Sequence, residues 1–142
     1  MSKKKKNRSK FDGQFAGIEF NLMESEAFEN LNIHTKWLYI EFKHKFYGDN
    51  KKHIILTYKE AIKFMSINTF IKSRNKLIER GFIDVMKRGG LEKQPAIYGL
   101  SDRWKKYGTK DFVKVDIKKI LPKIYKNKFK KGHKLFKKRK HL

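Results

Sequence analysis

Apolar and polar positions alternate along the chain with periods that change from segment to segment. Between Phe11 and Met23 the apolar residues Phe15, Ile18, Phe20 and Leu22 recur loosely at every second or third place, which predicts a short strand or an extended segment laid on a core. Ser25 then stands as an N-cap, with Glu26 in the first turn where the helix dipole favours an anion, and a short helix through Ala27, Phe28 and Leu31 follows. From Ile33 to Tyr47, the residues Trp37, Leu38, Tyr39, Ile40, Phe42, Phe46 and Tyr47 fall on nearly every face of a helix. A helix apolar all round is usually buried on two sides. This one is therefore expected beneath both the N-terminal segment and the elements that follow; a homodimer formed through one of its faces is the alternative. Gly48-Asp49-Asn50 ends it.

His53 to Leu56 is a short apolar run that reads as a strand. Thr57-Tyr58-Lys59-Glu60 places Thr and Glu three apart at the start of a periodic helix, the spacing of a capping box. That helix is expected to bury Ala61, Ile62 and Met65. Ser66-Ile67-Asn68 makes a turn, Ser66 caps the next helix, and Gly81 after Arg80 offers the left-handed position that stops it. At about 100° per residue, Ile67, Phe70, Ile71, Leu77 and Ile78 lie on one side of this helix, and Asn68, Thr69, Lys72, Asn75 and Lys76 on the other. Arg74 interrupts the apolar side. A buried arginine calls for a carboxylate, so a pairing with Glu60 or Asp84 is expected, or else snorkelling along the sheet. Phe82 to Met86 and Ala96 to Leu100 read as two strands joined by the glycine-containing, net-basic loop Lys87 to Pro95. The order helix, turn, helix, hairpin predicts an α+β, mainly helical fold: a winged helix-turn-helix with a two- to three-stranded wing sheet.

Beyond the hairpin, Ser101 to Gly108 has a cap, a turn or two of helix and a glycine stop, with Trp104 and Tyr107 expected to dock together. Val115, Ile117, Ile120, Leu121 and Ile124 allow a short amphipathic helix that Pro122 bends or interrupts. Charge sets the boundaries of this plan. Of 37 Lys and Arg, six fall in residues 3–10 and thirteen in 114–142, where Asp116 is the lone acid, while the net charge of the whole is +23. The division expected is a basic disordered arm over 1–10, a folded domain over 11–113 and a lysine-rich tail over 114–142. Such an excess of positive charge calls for a polyanionic partner, most commonly nucleic acid.

One segment is similar to something known. Leu-Thr-Tyr-x-Glu-Ala from Leu56, the run from Thr69 to Asp84 with Leu-Ile-Glu-x-Gly-Phe-Ile-Asp, Gly89-Gly90, and above all Leu-Ser-Asp-Arg-Trp-x-x-Tyr-Gly-Thr from Leu100 to Thr109 resemble a family of small bacterial and mobile-element helix-turn-helix proteins. The likeness extends over roughly Glu24 to Phe112, and some members are similar to the winged-helix domains of plasmid replication initiators and repressors. The resemblance implies DNA binding and names neither a target nor a catalytic residue. Arg74 departs from it, standing where most winged helices carry Leu.

Enzymatic chemistry finds no foothold in the motifs. The five histidines are scattered and cysteine is absent, so neither a zinc framework nor a disulfide is expected. There is no phosphate-binding Gly-x-x-x-x-Gly-Lys sequence, and Glu41-x-Lys43 lacks the upstream aspartate that a nuclease centre would need. No cofactor, metal, small-molecule substrate or membrane partner is expected, and with no signal-like or spanning run the location expected is cytoplasmic, on the nucleoid. The reading is a DNA-binding regulator or replication factor of a plasmid, phage or mobile element that engages double-stranded DNA. Asn68, Thr69, Lys72, Asn75 and Lys76 would read bases, and Lys87, Arg88 and Lys93 would contact the backbone. A structured-RNA or ribosome-associated protein is the alternative, although aromatics on adjacent strands, the mark of an RNA-binding sheet, are missing.

Overall fold

Local capping bonds set the helices in their frame. A computed structural model describes residues 13–90 and 94–121. Residues 13–19 have no regular structure, and α1 (Phe20–Met23) is a single turn that buries Leu22 while leaving Phe15 and Phe20 exposed. The Ser25 hydroxyl accepts from the Phe28 amide at 3.3 Å and starts α2 (Glu26–Glu29). Asn32 caps α3 (Ile33–His44), its Oδ1 accepting from Thr35 N at 2.8 Å. Thr57 caps α4 (Tyr58–Ala61) through the Glu60 amide at 3.1 Å, and Ser66 caps α5 (Ile67–Arg80) through Thr69 N at 3.2 Å. Each such bond satisfies one of the amides that a helix start leaves without an internal partner, worth about 1 kcal/mol.

The stops are equally specific. The α3 helix ends three residues short of the expected Tyr47 because buried Asn50 turns back on it: its Nδ2 donates to the Lys45 carbonyl and its Oδ1 accepts from Tyr47 N, both at 2.9 Å. Gly81 ends α5 at φ 85°. A Cβ there would stand 2.6 Å from Trp104 N and 2.8 Å from the Arg103 carbonyl carbon, so only glycine fits both the backbone angle and the space.

The chain then forms β1 (Ile83–Lys87) and β2 (Ile97–Leu100), an antiparallel pair with Ile83 opposite Leu100 and Val85 opposite Tyr98. The register shifts between Val85 and Lys87, a bulge at Met86. The His53–Leu56 run contributes a single bridge, with amide bonds exchanged between Ile54 and Tyr98 at 2.7 and 2.8 Å, so the sheet has two strands and a one-residue third neighbour. The fold among the described residues is α+β, with six α-helices around this small sheet; a 3-10 turn (Arg103–Lys106) and α6 (Ile117–Ile120) follow it.

The core lies where α3, α5 and the sheet meet. Leu38, Phe42, Phe70, Leu77, Phe82 and Ile83 are wholly inaccessible. Phe28, Tyr39 and Phe82 meet in edge-on or tilted pairs, Trp104 stacks on Phe82 at 6.1 Å, and Phe42 meets Tyr98 edge-on at 5.2 Å. Full burial of such side chains contributes roughly 1.5–3 kcal/mol each. Packing continues past residue 113: Val115, Ile117 and Leu121 lie against the core. The expected arm over 1–10 and the tail beyond Leu121, including Pro122 and Ile124, lie outside the described residues.

Three packing expectations are corrected. The α3 helix is not buried on two sides: Thr35, Leu38, Tyr39 and Phe42 form its inner stripe, while Ile33 is 76% and Trp37 50% exposed. Among the described residues its main neighbour is α5, and Phe28, Phe82 and Tyr98 pack on the same stripe through Tyr39 and Phe42. Ile62, expected inside, is 55% exposed because α4 ends at Ala61 and the chain turns there. Trp104 and Tyr107 dock separately, Trp104 on Phe82 and Tyr107 against Phe112 at 5.4 Å with the Arg80 guanidinium over its ring.

Candidate nucleic-acid interface

The outward side of α5 is the surface on which the expected base-reading residues gather. Phe70, Leu77 and Ile78 anchor the helix inward, and this rotation points Asn68, Lys72 and Lys76 into solvent. These three sit four residues apart and so form one stripe. Thr69 and Asn75 flank it half-buried, and both are engaged. The Thr69 hydroxyl accepts from Ser66 Oγ at 2.8 Å. Asn75 Oδ1 accepts from Arg74 Nε and Nη2 at 3.4 and 3.3 Å, which leaves its amide NH2 as the group turned to other partners. Lys76 lies 3.8 Å from Glu79, the sole acid on α5, so the N-terminal three turns present amide, hydroxyl and ammonium groups with no carboxylate among them.

The hairpin loop stands close by. Gly90 and Gln94 line the same cavity as Tyr58, Lys59 and Arg74, which places the loop beside α4 and the middle of α5. The Gly90 amide donates to the Gln94 carbonyl at 2.9 Å with Gly90 at φ 115°, closing the loop at its base. Lys87 and Arg88 are exposed on it. Lys87 Nζ reaches Gln94 Oε1 at 3.4 Å, and the Arg88 guanidinium donates to the Lys119 carbonyl, tying the loop to α6. Lys93 lies outside the described residues.

Arg74 is not where its chemistry suggested. It is 5% exposed, yet Glu60 pairs with Lys45 and Asp84 with Arg103, and neither reaches it. Its Nη1 donates instead to the Tyr58 hydroxyl at 2.7 Å and the Tyr98 hydroxyl at 3.5 Å, and its guanidinium carbon lies 5.7 and 5.6 Å from the Tyr58 and Phe70 ring centres. Neutral oxygens and aromatic faces thus take the place of the expected carboxylate. Burial works against its charge, but Tyr98 and Tyr58 together outweigh that and leave its pKa raised. The Lys45 ammonium, bonded to Glu60, holds that carboxyl below its ordinary value; partial burial opposes the shift and the Thr57 amide and hydroxyl add to it.

Comparison of the chain with protein-family models, with curated proteins and with solved structures returns no match. The Leu100–Thr109 motif therefore has to be understood from its own contacts. Arg103 is its centre: Nε and Nη2 engage Asp84 Oδ1 at 2.8 and 2.6 Å, Nη2 also donates to the Ile78 and Ile83 carbonyls, and Nη1 donates to the Val113 carbonyl at 3.0 Å. The motif clamps the end of α5 to β1 and to the segment after the 3-10 turn. Sequence reasoning passed over this clamp, and also the cavity at Arg74, although Arg74 itself was conspicuous on the apolar stripe. No helix among the described residues is long and apolar enough to cross a membrane.

Proposed function

We propose that this protein binds duplex DNA as a winged helix-turn-helix, with α4 and α5 as the helix pair, α5 as the recognition helix and the β1–β2 loop as the wing. The observation that carries the reading is the exposed Asn68–Lys72–Lys76 stripe, free of acid until Glu79 and flanked by the basic loop. Amides and ammonium groups are the donors and acceptors that read base edges in a major groove and hold phosphates at its rim. Lys87 and Arg88 in the wing, with Lys93, contact the backbone, and the Lys-rich termini add affinity that is indifferent to sequence. The role is that of a regulator or replication-associated factor of a plasmid, phage or other mobile element, acting on the nucleoid.

The test begins with genomic fragments retained by the purified protein, followed by anisotropy titrations of the best fragment and of random duplex. Asn68→Ala and Lys72→Ala each weaken binding to the selected fragment by roughly 1–3 kcal/mol. Deletion of residues 126–142 weakens all duplexes alike and lowers the slope of log affinity against log salt. If Asn68→Ala leaves discrimination between selected and random DNA untouched, α5 is not the reader. Folded RNA bound more tightly than duplex DNA at the same salt would move the assignment to RNA.

A further inference from the structure

We propose that the cavity beneath the hairpin loop is a binding site for a small organic acid, with the ligand's carboxylate on Arg74 and its apolar body against Leu56, Ala96 and Leu121. The cavity measures about 270 Å³ and is bounded by the start of α4, the middle of α5, the β2 strand and both ends of the loop. Ligand pockets in general are mainly apolar with a few convergent polar groups and occupy roughly 300–1,000 Å³. This one falls just below that range but has the same anatomy: Leu56, Pro95, Ala96 and Leu121 supply apolar wall, and Arg74, Tyr58 and Tyr98 also line it.

Arg74 determines the charge of the occupant. It is 95% withdrawn from solvent, guanidinium is always ionised in proteins, and its acceptors among the described residues are two phenols and one carboxamide, all neutral. A buried cation not satisfied in charge is a receptor for an anion, because pairing there is weakly screened. With Nη1 on the two phenols and Nε and Nη2 on Asn75, one Nη2 hydrogen is left to donate to a single carboxylate oxygen. Exposed Lys59 also lines the cavity and adds positive potential there. The aromatic rings of Tyr58 and Phe70 already hold the guanidinium in place, so the site is formed before any ligand arrives.

The experiment is calorimetric titration of the full-length protein with benzoate, with benzyl alcohol as the uncharged analogue and with inorganic phosphate as an anion lacking an apolar body, at matched ionic strength. Saturable benzoate binding at least tenfold tighter than either control is expected. Arg74→Met and Ala96→Leu should each weaken it tenfold or more. Ala96→Leu fills the cavity while keeping the guanidinium and its partners, so it decides the matter even if Arg74→Met does not fold. Benzyl alcohol or phosphate binding as tightly as benzoate, an absence of saturable benzoate binding, or wild-type affinity in folded Ala96→Leu would each overturn the site. No DNA enters the titration, so its result stands apart from the fate of the DNA-binding reading.

Discussion

Replacement of Arg103 by alanine tests whether the Leu100–Thr109 motif is a clamp or only an ion pair. The side chain is 17% exposed and its partner Asp84 37%. With the carboxylate more than a third exposed, the ion pair is screened and contributes about 0.5–1 kcal/mol. The bonds to the Ile78 and Ile83 carbonyls, at 2.9 and 3.3 Å, come from a charged and largely buried donor. Water replaces them poorly, and together they contribute about 2 kcal/mol. The Val113 carbonyl sits on an exposed residue and adds little. Arg103→Ala should therefore cost about 3 kcal/mol, a large fraction of the stability of a small domain. Asp84→Ala should cost about 1 kcal/mol, and the double mutant should show a coupling of about 0.5–1 kcal/mol. Arg103→Lys should recover less than half of the loss, since one ammonium cannot span a carboxylate and two carbonyls on different elements. Urea denaturation followed by circular dichroism gives all four values. If Arg103→Ala costs no more than Asp84→Ala, the carbonyl bonds contribute nothing and the clamp is no more than its ion pair.

Further outcomes follow from the same contacts. Gly81→Ala should destabilise by about 2–4 kcal/mol, combining a left-handed backbone penalty with a clash, whereas Gly48→Ala, at φ 111° but in open space, should cost only about 1 kcal/mol; equal costs in urea titrations would remove the clash from the account. Ser66→Ala should cost about 1 kcal/mol through loss of the α5 cap, measured the same way. Glu60 has a folded pKa below its ordinary value of 4.5, so its pairing with Lys45 stabilises fully above that pH and is lost as pH falls through the lower folded value. The stability difference between wild type and Glu60→Gln should be constant above about pH 5.5 and shrink steadily below about pH 4.5; a difference that persists at about pH 2 would show the pair is not its source.

What the sequence made legible was largely what is local. Ser25, Thr57 and Ser66 bond to amides three residues away, and Gly81 needs only its own φ angle, so residue type and spacing were sufficient. The outward stripe of α5 followed from the 3.6-residue period and the hydrophobicity of its inner side. Arg74 and Arg103 are different. Their partners lie 16 to 24 residues away for Arg74's tyrosines, and 10 to 25 for Arg103's carbonyls, and depend on how helices cross the sheet. A rule that buried cations seek carboxylates offered Glu60 or Asp84 to Arg74, whereas Lys45 and Arg103 hold those acids. The α3 helix shows the same limit: an all-round apolar pattern does not say on which side the partners gather, and Ile33 and Trp37 are exposed while α5, Phe28 and Tyr98 pack on the side of Leu38, Tyr39 and Phe42.

The Gly81–Arg103 junction also bears on how the protein would meet its target. The end of α5 touches the 3-10 turn too closely for even a methyl group, and the Arg103 side chain bonds helix and strand at once. Such a junction opposes changes in the spacing between α5 and β1. On the proposed reading, a duplex whose groove width does not match that spacing has to deform to fit, and the work of deformation depends on base steps that no side chain contacts. Part of the selectivity would then reside in the elasticity of the DNA.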